Sequence, residues 1–451
     1  MTVDLVVKGG RIVTPSGVVE AGLAVDDGKI SAVAKEALLP KADKILKVEG
    51  LFILPGLIDA HVHVCDPGFI HESFETGTRA AAAGGVTTII DMASSVDLRT
   101  ISVANLLRKQ QLAEKQAFVD FALYGGEISD ENDLTEIEEL VAAGVVGFGE
   151  IMMCGDTPIR DDEMMLKAFI RISRAGSTAA VHAEDNNMID RCRKKLIAEG
   201  RKDITAFADA RPNQAEAQAI SKALLLSKKT NVRLHICHLS TKEGTKLVRK
   251  AKTKGTHVTT EVCPHHLYLT KKDYEKLGPY LITTPPLRTT EDVTELWRGL
   301  NDGTIDLVVS DHCAFKKSEK DAYRNDVWHI PPGVPGLETI ALLMLGKGVN
   351  EGKISLQRFV EITSENPAKL FELYPKKGSL TKGADADLTI VNLHKDHVIR
   401  SEDMKCVADY TPYEGWNVGA ALVMTLVRGE VVFREGEITG KMGFGEFVKP
   451  N

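Results

Sequence analysis

Residues 144–153 read GVVGFGEIMM, a run whose only charged side chain is Glu150. Apolar residues fall on both faces of any strand drawn through it, and glycines rather than polar turn residues interrupt it. A strand buried on both faces belongs to a parallel sheet covered by helices. The stretch therefore points to an α/β fold. It also raises a chemical question, because a buried carboxylate must be paired, neutralised or given a metal.

Seven further strand candidates extend from it in both directions: DAHVHV, VTTIIDM, VDFALYG, AAVHAE, VRLHICH, HVTTEVCP and IDLVVSDH. Amphipathic stretches such as LTEIEELVAAG, EMMLKAFIRISRAG, AEAQAISKALLLSKK and TKLVRKAKTKG separate them. Eight strand–helix units in series predict a TIM-like (β/α)8 barrel over residues 55–371. A doubly wound open sheet is the alternative; it calls for a glycine-rich phosphate turn after an early strand, and none is suitably placed. The flanks have another texture. DLVVKGGRIV and AGLAVDDGKISAVA at the start, and ADLTIVNL and ALVMTLVRGEVVFREGEI at the end, read as short strands and hairpins. Neither end has enough strands for a sheet of its own. Residues 1–54 and 372–451 are accordingly expected to form one small β-sandwich domain.

Composition narrows the function. The 451 residues are 43% hydrophobic and 26% charged, with a formal net charge of −7 and a pI near 6.0. This is not the basic footprint of a nucleic-acid binder; RCRKK and LVRKAKTKG read as solvated helix faces. No stretch approaches the length of a membrane span, and MTVDLVVKGGRIV lacks the pattern of a signal peptide. The seven cysteines have no framework spacing and read as reduced thiols. A cytoplasmic protein with no nucleic-acid or membrane partner is expected.

Barrel enzymes work at the C-terminal ends of their strands. His61 and His63 alternate in HVH and share one side of the first strand. His182 ends the fifth, His238 the sixth, and Asp311 the eighth. His235, an odd number of residues from His238, is expected on the opposite face. Four imidazoles and a carboxylate at one rim suit Zn²⁺ or a related divalent ion. No metal role is read into the other histidines, including His265, His266 and His312.

These residues sit in motifs that together resemble the cyclic-amide branch of the amidohydrolase superfamily, which holds allantoinases, hydantoinases (dihydropyrimidinases) and dihydroorotases. GLIDAHVHVCDPG, RAAAAGGVTTIIDM, VHAED, HICHLS, EVCPHHLYLT, PPLR, SDHC, GVPGLET, TSENPAKLF, KKGSLTKGADADL and YTPYEGW carry the resemblance along essentially the whole chain. It implies the barrel and the sandwich already read. It also implies that His61, His63 and Asp311 hold the more buried metal, and His182 and His238 a second.

In these relatives a lysine in GFK on the fourth strand carries CO₂ as a carbamate and bridges the metals. Here the segment is GFGE, with Gly149 in that place, so no carbamylated lysine is expected there. In strict alternation Glu150 points to the outer helices, to be paired with Lys or Arg. A glycine-flanked bulge instead re-aims it inward as a metal ligand, as in other amidohydrolase branches with a strand-end glutamate. An unbridged, mononuclear site is a third possibility. One or two ions, zinc first and manganese or cobalt next, are implied.

The chemistry that follows is attack of metal-bound hydroxide on a cyclic amide, with Asp311 passing the proton to the leaving nitrogen. Cys65 stands where dihydroorotases have the arginine that clamps a substrate carboxylate, which favours allantoin- or hydantoin-like rings. The turn after IID reads MASSV rather than MPLN. Thr284 matches a ring-facing position, and FKKSEKDAYRNDVWHIPPG (315–333) is either a lid or an ordinary loop. A homo-oligomer, tetramer or dimer, is implied by analogy. The competing reading is a non-catalytic scaffold or assembly paralogue; hydrolysis of another amide or imide on the same site is a third.

Overall fold

Eight parallel strands close into a ring: β1 (Leu57–Val62), β2 (Val86–Asp91), β3 (Asp120–Leu123), β4 (Phe148–Met152), β5 (Thr178–His182), β6 (Arg233–Ile236), β7 (Val258–Val262) and β8 (Leu307–Val308). The computed structural model describes residues 2–65, 71–93, 98–155, 159 and 161–451. Neighbouring strands pair in sequence order from β1 to β3 and from β4 to β8. Parallel bridges Gly125–Phe148 and Val62–His312 join the two arcs, so the sheet closes as a barrel. All eight strands coincide with the candidates read from hydrophobic patterning.

Outward-facing Val86, Ile89, Phe121, Leu123, Val181, Leu234 and Ile236 pack into one cluster with helix residues. The helices are α1 (Phe74–Ala83), α2 (Val103–Gln116), α3 (Ile137–Ala143), α4 (Asp162–Arg174), α5 (Asn213–Thr230), α6 (Lys242–Thr253) and α7 (Thr290–Asn301). Each presents an apolar stripe at helical spacing, such as Met165, Ala168, Phe169 and Ile172 on α4. Ser102, Asp161, Thr241 and Thr289 start four of them by accepting a backbone N–H in the first turn. The interior is filled by a separate cluster of Ile58, Ala60, Ile90, Ala122, Tyr124, Ala180, Leu307 and Val309. The barrel is thus a packed core with chemistry left to its ends.

Strands from both ends of the chain make the two remaining large sheets. Leu388–Asn392 lies between Phe52–Pro55 and Ala421–Val427, antiparallel to both, in a seven-stranded sheet. A four-stranded sheet is built from Thr2–Lys8, Gly22–Asp26, Lys29–Ala34 and Lys41–Lys47. Leu5, Val7, Leu23 and Val25 of the smaller sheet meet Ile12, Ile53, Leu388, Ile390 and Leu426 of the larger. Neither end could cover its own apolar face, and they cover each other's. Among the described residues no helix is long and apolar enough to cross a membrane.

Candidate metal centre

Two local irregularities aim the side chains at the barrel mouth. Between Asp59 and Val62, β1 spends three residue steps where β2 spends two, from Ile89 to Asp91. Between Phe148 and Ile151, β4 gains one step on β5 in the same way. Such bulges turn a side chain that strict alternation would place outside. His61 and Glu150 are the residues turned, and both are buried, at 0% and 7% exposure. The expectation that a regular strand sends Glu150 to the outer helices is therefore corrected by the register shift. Its partners are imidazoles, not lysine or arginine. Gly149 stands against β5, where a Cβ would come 2.7 Å from the Cβ of Ala180.

Glu150 Oε1 lies 2.6 Å from His238 Nε2, 3.6 Å from His182 Nδ1 and 3.9 Å from His61 Nε2. Asp311 Oδ1 faces His61 Nε2 at 3.4 Å and His63 Nε2 at 3.5 Å. Candidate ligand atoms of His61, His63 and Glu150 all lie within 4.8 Å of one another, and so do those of Glu150, His182 and His238. Glu150 is common to both groups. The six residues read from the sequence, His61, His63, Glu150, His182, His238 and Asp311, are thus brought together.

Further residues hold the donors in place. Glu261, on β7, accepts from His61 Nδ1 at 2.5 Å and from His235 Nε2 at 3.0 Å. His235 therefore lies on the same side as the centre, not on the opposite face. The alternation argument fails for His238 instead: β6 ends at Ile236, and His238 has a φ of +31°, beyond the regular strand. Glu184 Oε2 accepts from His182 Nε2 at 2.9 Å, which turns Nδ1 toward Glu150. Arg211 binds the same carboxylate oxygen. Asp59 accepts from the backbone N–H groups of Ser310 and His61 and ties β1 to the segment carrying Asp311. Glu261 and Glu184 were missed in the sequence. Glu261 carries the signal that Glu150 did, a carboxylate in an apolar strand (VTTEV).

The electrostatics are those of a donor set short of positive charge. Burial opposes a charged His61, yet Glu261, Asp311 and Glu150 outweigh it and push its pKa up to about 10. His182 is pushed well up against burial by Cys154, Glu150 and Glu184. Burial works against ionised Glu150 and Asp311 too, but the surrounding imidazoles hold both below the usual carboxylate range. Glu261 is likewise held down to about 2. Protons on imidazole are what balance these carboxylates without an ion. His61 Nε2 and His238 Nδ1 are buried without a hydrogen-bond partner. Nitrogen and oxygen donors, deprotonable and convergent, fit a divalent transition ion that replaces those protons.

The remaining sequence-predicted features are less central. Thr284 is half-buried in the segment between Ile282 and Pro285, whose carbonyls accept from Lys320 Nζ and His266 Nε2. His312 is engaged elsewhere: Nε2 faces Glu72 at 3.2 Å and Nδ1 accepts from the Gly336 N–H at 3.1 Å. Segment 315–333 contains a short helix, Lys317–Asp321, pinned by buried Lys320 to the carbonyls of Ile282 and Pro331. Most of the MASSV turn and the DPG after Cys65 lie outside the described residues.

Residues 52–432 match the model of the amidohydrolase family. The chain belongs to that family. It is 38% identical over 450 residues to an L-hydantoinase of Paenarthrobacter aurescens, covering 99% of this chain and 98% of the relative. It is equally 38% identical over 456 residues to a dihydroorotase of Methanosarcina acetivorans, covering 99% and 95%. The solved L-hydantoinase (dihydropyrimidinase) of Arthrobacter aurescens superposes with a TM-score of 0.95 at 38% identity, over 99% of this chain and 100% of that one. This amidohydrolase therefore lies in the metal-dependent, cyclic-amide branch, as its motifs indicated.

Proposed function

We propose that this amidohydrolase opens a hydantoin- or allantoin-like ring, using a centre of one or two zinc ions held by His61, His63, Glu150, His182, His238 and Asp311. The observation that carries the reading is Glu150 Oε1, shared between the two histidine groups. Glu150 would take the bridging place in a two-ion centre, beside Gly149, where a Cβ would come 2.7 Å from that of Ala180. A carboxylate is shorter than a carbamylated lysine, and the bulge in β4 brings it inward to compensate. A bound divalent ion supplies an acidified water and a Lewis acid for the ring carbonyl. Asp311 accepts the water's proton and returns it to the departing ring nitrogen. Glu261 and Glu184 fix the ring orientations of His61 and His182. Thr284 is proposed to contact the ring.

Cys65 in place of a clamping arginine favours an uncharged ring over a carboxylated one. Retention of the full donor set speaks against a scaffold role, since buried ionisable groups are costly to keep. The test is hydrolysis of a panel (hydantoins, dihydrouracil, allantoin, dihydroorotate, succinimide-type imides) by protein loaded with zinc, manganese or cobalt. Turnover of an uncharged ring is expected, with both metal content and rate falling in Glu150→Gln. A fully active Glu150→Gln protein with unchanged metal content overturns the bridging role.

A further inference from the structure

The end of β7 carries a second cluster of donors that the centre described above does not use. Candidate ligand atoms of Cys263, His265 and His266 all lie within 4.8 Å of one another. The three residues are 0%, 2% and 2% exposed. Their ring and thiol groups are held by the turn CPHHL, in which Pro264 opens a short helix, Pro264–Tyr268. The two imidazole centroids are 4.3 Å apart.

The hydrogen bonding of this cluster is incomplete in one particular way. His266 Nε2 donates to the carbonyl of Pro285 at 3.1 Å, so its lone pair sits on Nδ1. That Nδ1 is buried and has no partner among the described residues, and neither has His265 Nε2. A core histidine kept for packing normally has its buried nitrogens satisfied. One ring nitrogen donating to a carbonyl while the other presents a bare lone pair is the usual condition of a metal-ligating imidazole.

We propose that Cys263, His265 and His266 form a separate binding site for a thiophilic transition ion such as Zn²⁺ or Co²⁺, distinct from the centre shared through Glu150. A tetrahedral ion brings S and N donors to about 3.3–3.7 Å of one another, inside the 4.8 Å that bounds their separations here. Thiolate with imidazole selects zinc or cobalt over magnesium or calcium. Both histidines are neutral and ready to bind: burial first, then neighbouring imidazoles, hold His265 well below its ordinary range, and burial chiefly takes His266 down to about 3. Cys263 is a thiol, raised by burial and then by Asp311, Glu261, Asp59 and Glu150. Binding exchanges the thiol proton for the ion. This revises the reading that gave His265 and His266 no metal role.

The test is cobalt loading of the whole protein, followed by absorption spectroscopy and metal counting. The Glu150 centre has only nitrogen and oxygen donors, so a thiolate-to-cobalt charge-transfer band reports sulfur ligation alone. The band is expected in the unsubstituted protein, retained in Glu150→Gln, and lost in Cys263→Ser together with about one equivalent of cobalt. Cys154 and Cys237 also lie near histidines and carboxylates of the principal centre, so Cys154→Ser and Cys237→Ser serve as controls that keep the band. If Cys263→Ser fails to fold, His266→Gln provides the same loss of band and metal. No band in the unsubstituted protein, or a band that survives Cys263→Ser and disappears in Cys237→Ser or Cys154→Ser, overturns the proposal.

Discussion

The barrel has a buried charge cluster at each end, and the two are solved differently. At the N-terminal end Asp120, the first residue of β3, meets Asp385 and Asp387 around Lys377. The Lys377 ammonium lies 2.5 Å from Asp120, 2.7 Å from Asp387 and 3.0 Å from Asp385. Arg428 binds Asp120, and Lys29 reaches Asp385 at 2.8 Å. Three buried carboxylates face three permanent cations, with exposed Glu446 also reaching Arg428 at 3.5 Å. At the mouth, among the described residues, the charged partners of Glu150, Glu261 and Asp311 are imidazoles, which carry charge only when protonated. The carboxylates are buried at both ends, so burial and perturbed titration do not distinguish a site from a clamp. What distinguishes them is that, among the described residues, no lysine or arginine pairs with Glu150, Glu261 or Asp311.

Substitutions can break that contrast, and the largest expected effect is at the mouth. Asp311→Asn should lower kcat by about 10²–10⁴-fold, the usual worth of a general acid–base, with the circular dichroism spectrum unchanged. Activity near the starting level would remove Asp311 from the chemistry. At the other end, Lys377→Met leaves three aspartates around a lost cation and should cost about 3–5 kcal/mol of stability in urea unfolding. Metal content should not change there, and a loss of metal instead would mean that the two clusters are coupled.

Glu184→Gln tests the support beneath the donors. It should weaken metal affinity by about 10–100-fold, the usual effect of removing a group that orients a ligand, as measured by competition with a chelator. An unchanged affinity would make the Glu184–His182 contact incidental.

A test by pH comes from comparing two buried lysines. Lys377 has three carboxylates, whereas Lys320 donates to the carbonyls of Ile282 and Pro331. Burial lowers Lys320 from 10.5 to about 7, with Cys313 and Glu319 opposing the shift. Between those values the unfolded chain holds a proton that the folded chain has released. Stability should therefore rise with pH from about 7 to 10.5, by at most about 1.4 kcal/mol per unit. Lys320→Met should flatten that rise in unfolding curves recorded across the range.

Much of this was legible in one dimension. Each barrel strand is a short apolar run bounded by turn residues, and the helices repeat their apolar positions every three or four residues. Both patterns are local, so they survive without coordinates. His61, His63, His182, His238 and Asp311 were legible because each falls at or near a strand end, and a barrel has only one mouth. The side on which Glu150 and His235 point was not legible. Facing depends on pairing register, and register is set by the neighbouring strand, as the Phe148–Ile151 shift against β5 shows. Glu261 and Glu184 were overlooked because their partners, His61 and His182, become neighbours only when the ring closes or the strand ends.

The chain by itself determined the kinds of element, their order, the chemistry of the rim and the family, because those follow from side-chain period and composition along a contiguous stretch. Tertiary structure decided which carboxylate faces the imidazoles, that residues 120, 377, 385, 387 and 428 share one ion cluster, and that Cys263, His265 and His266 converge with His265 Nε2 and His266 Nδ1 unpartnered among the described residues. The reason is distance: electrostatic balance and hydrogen-bond satisfaction act through space between residues far apart in sequence, and no local pattern records them.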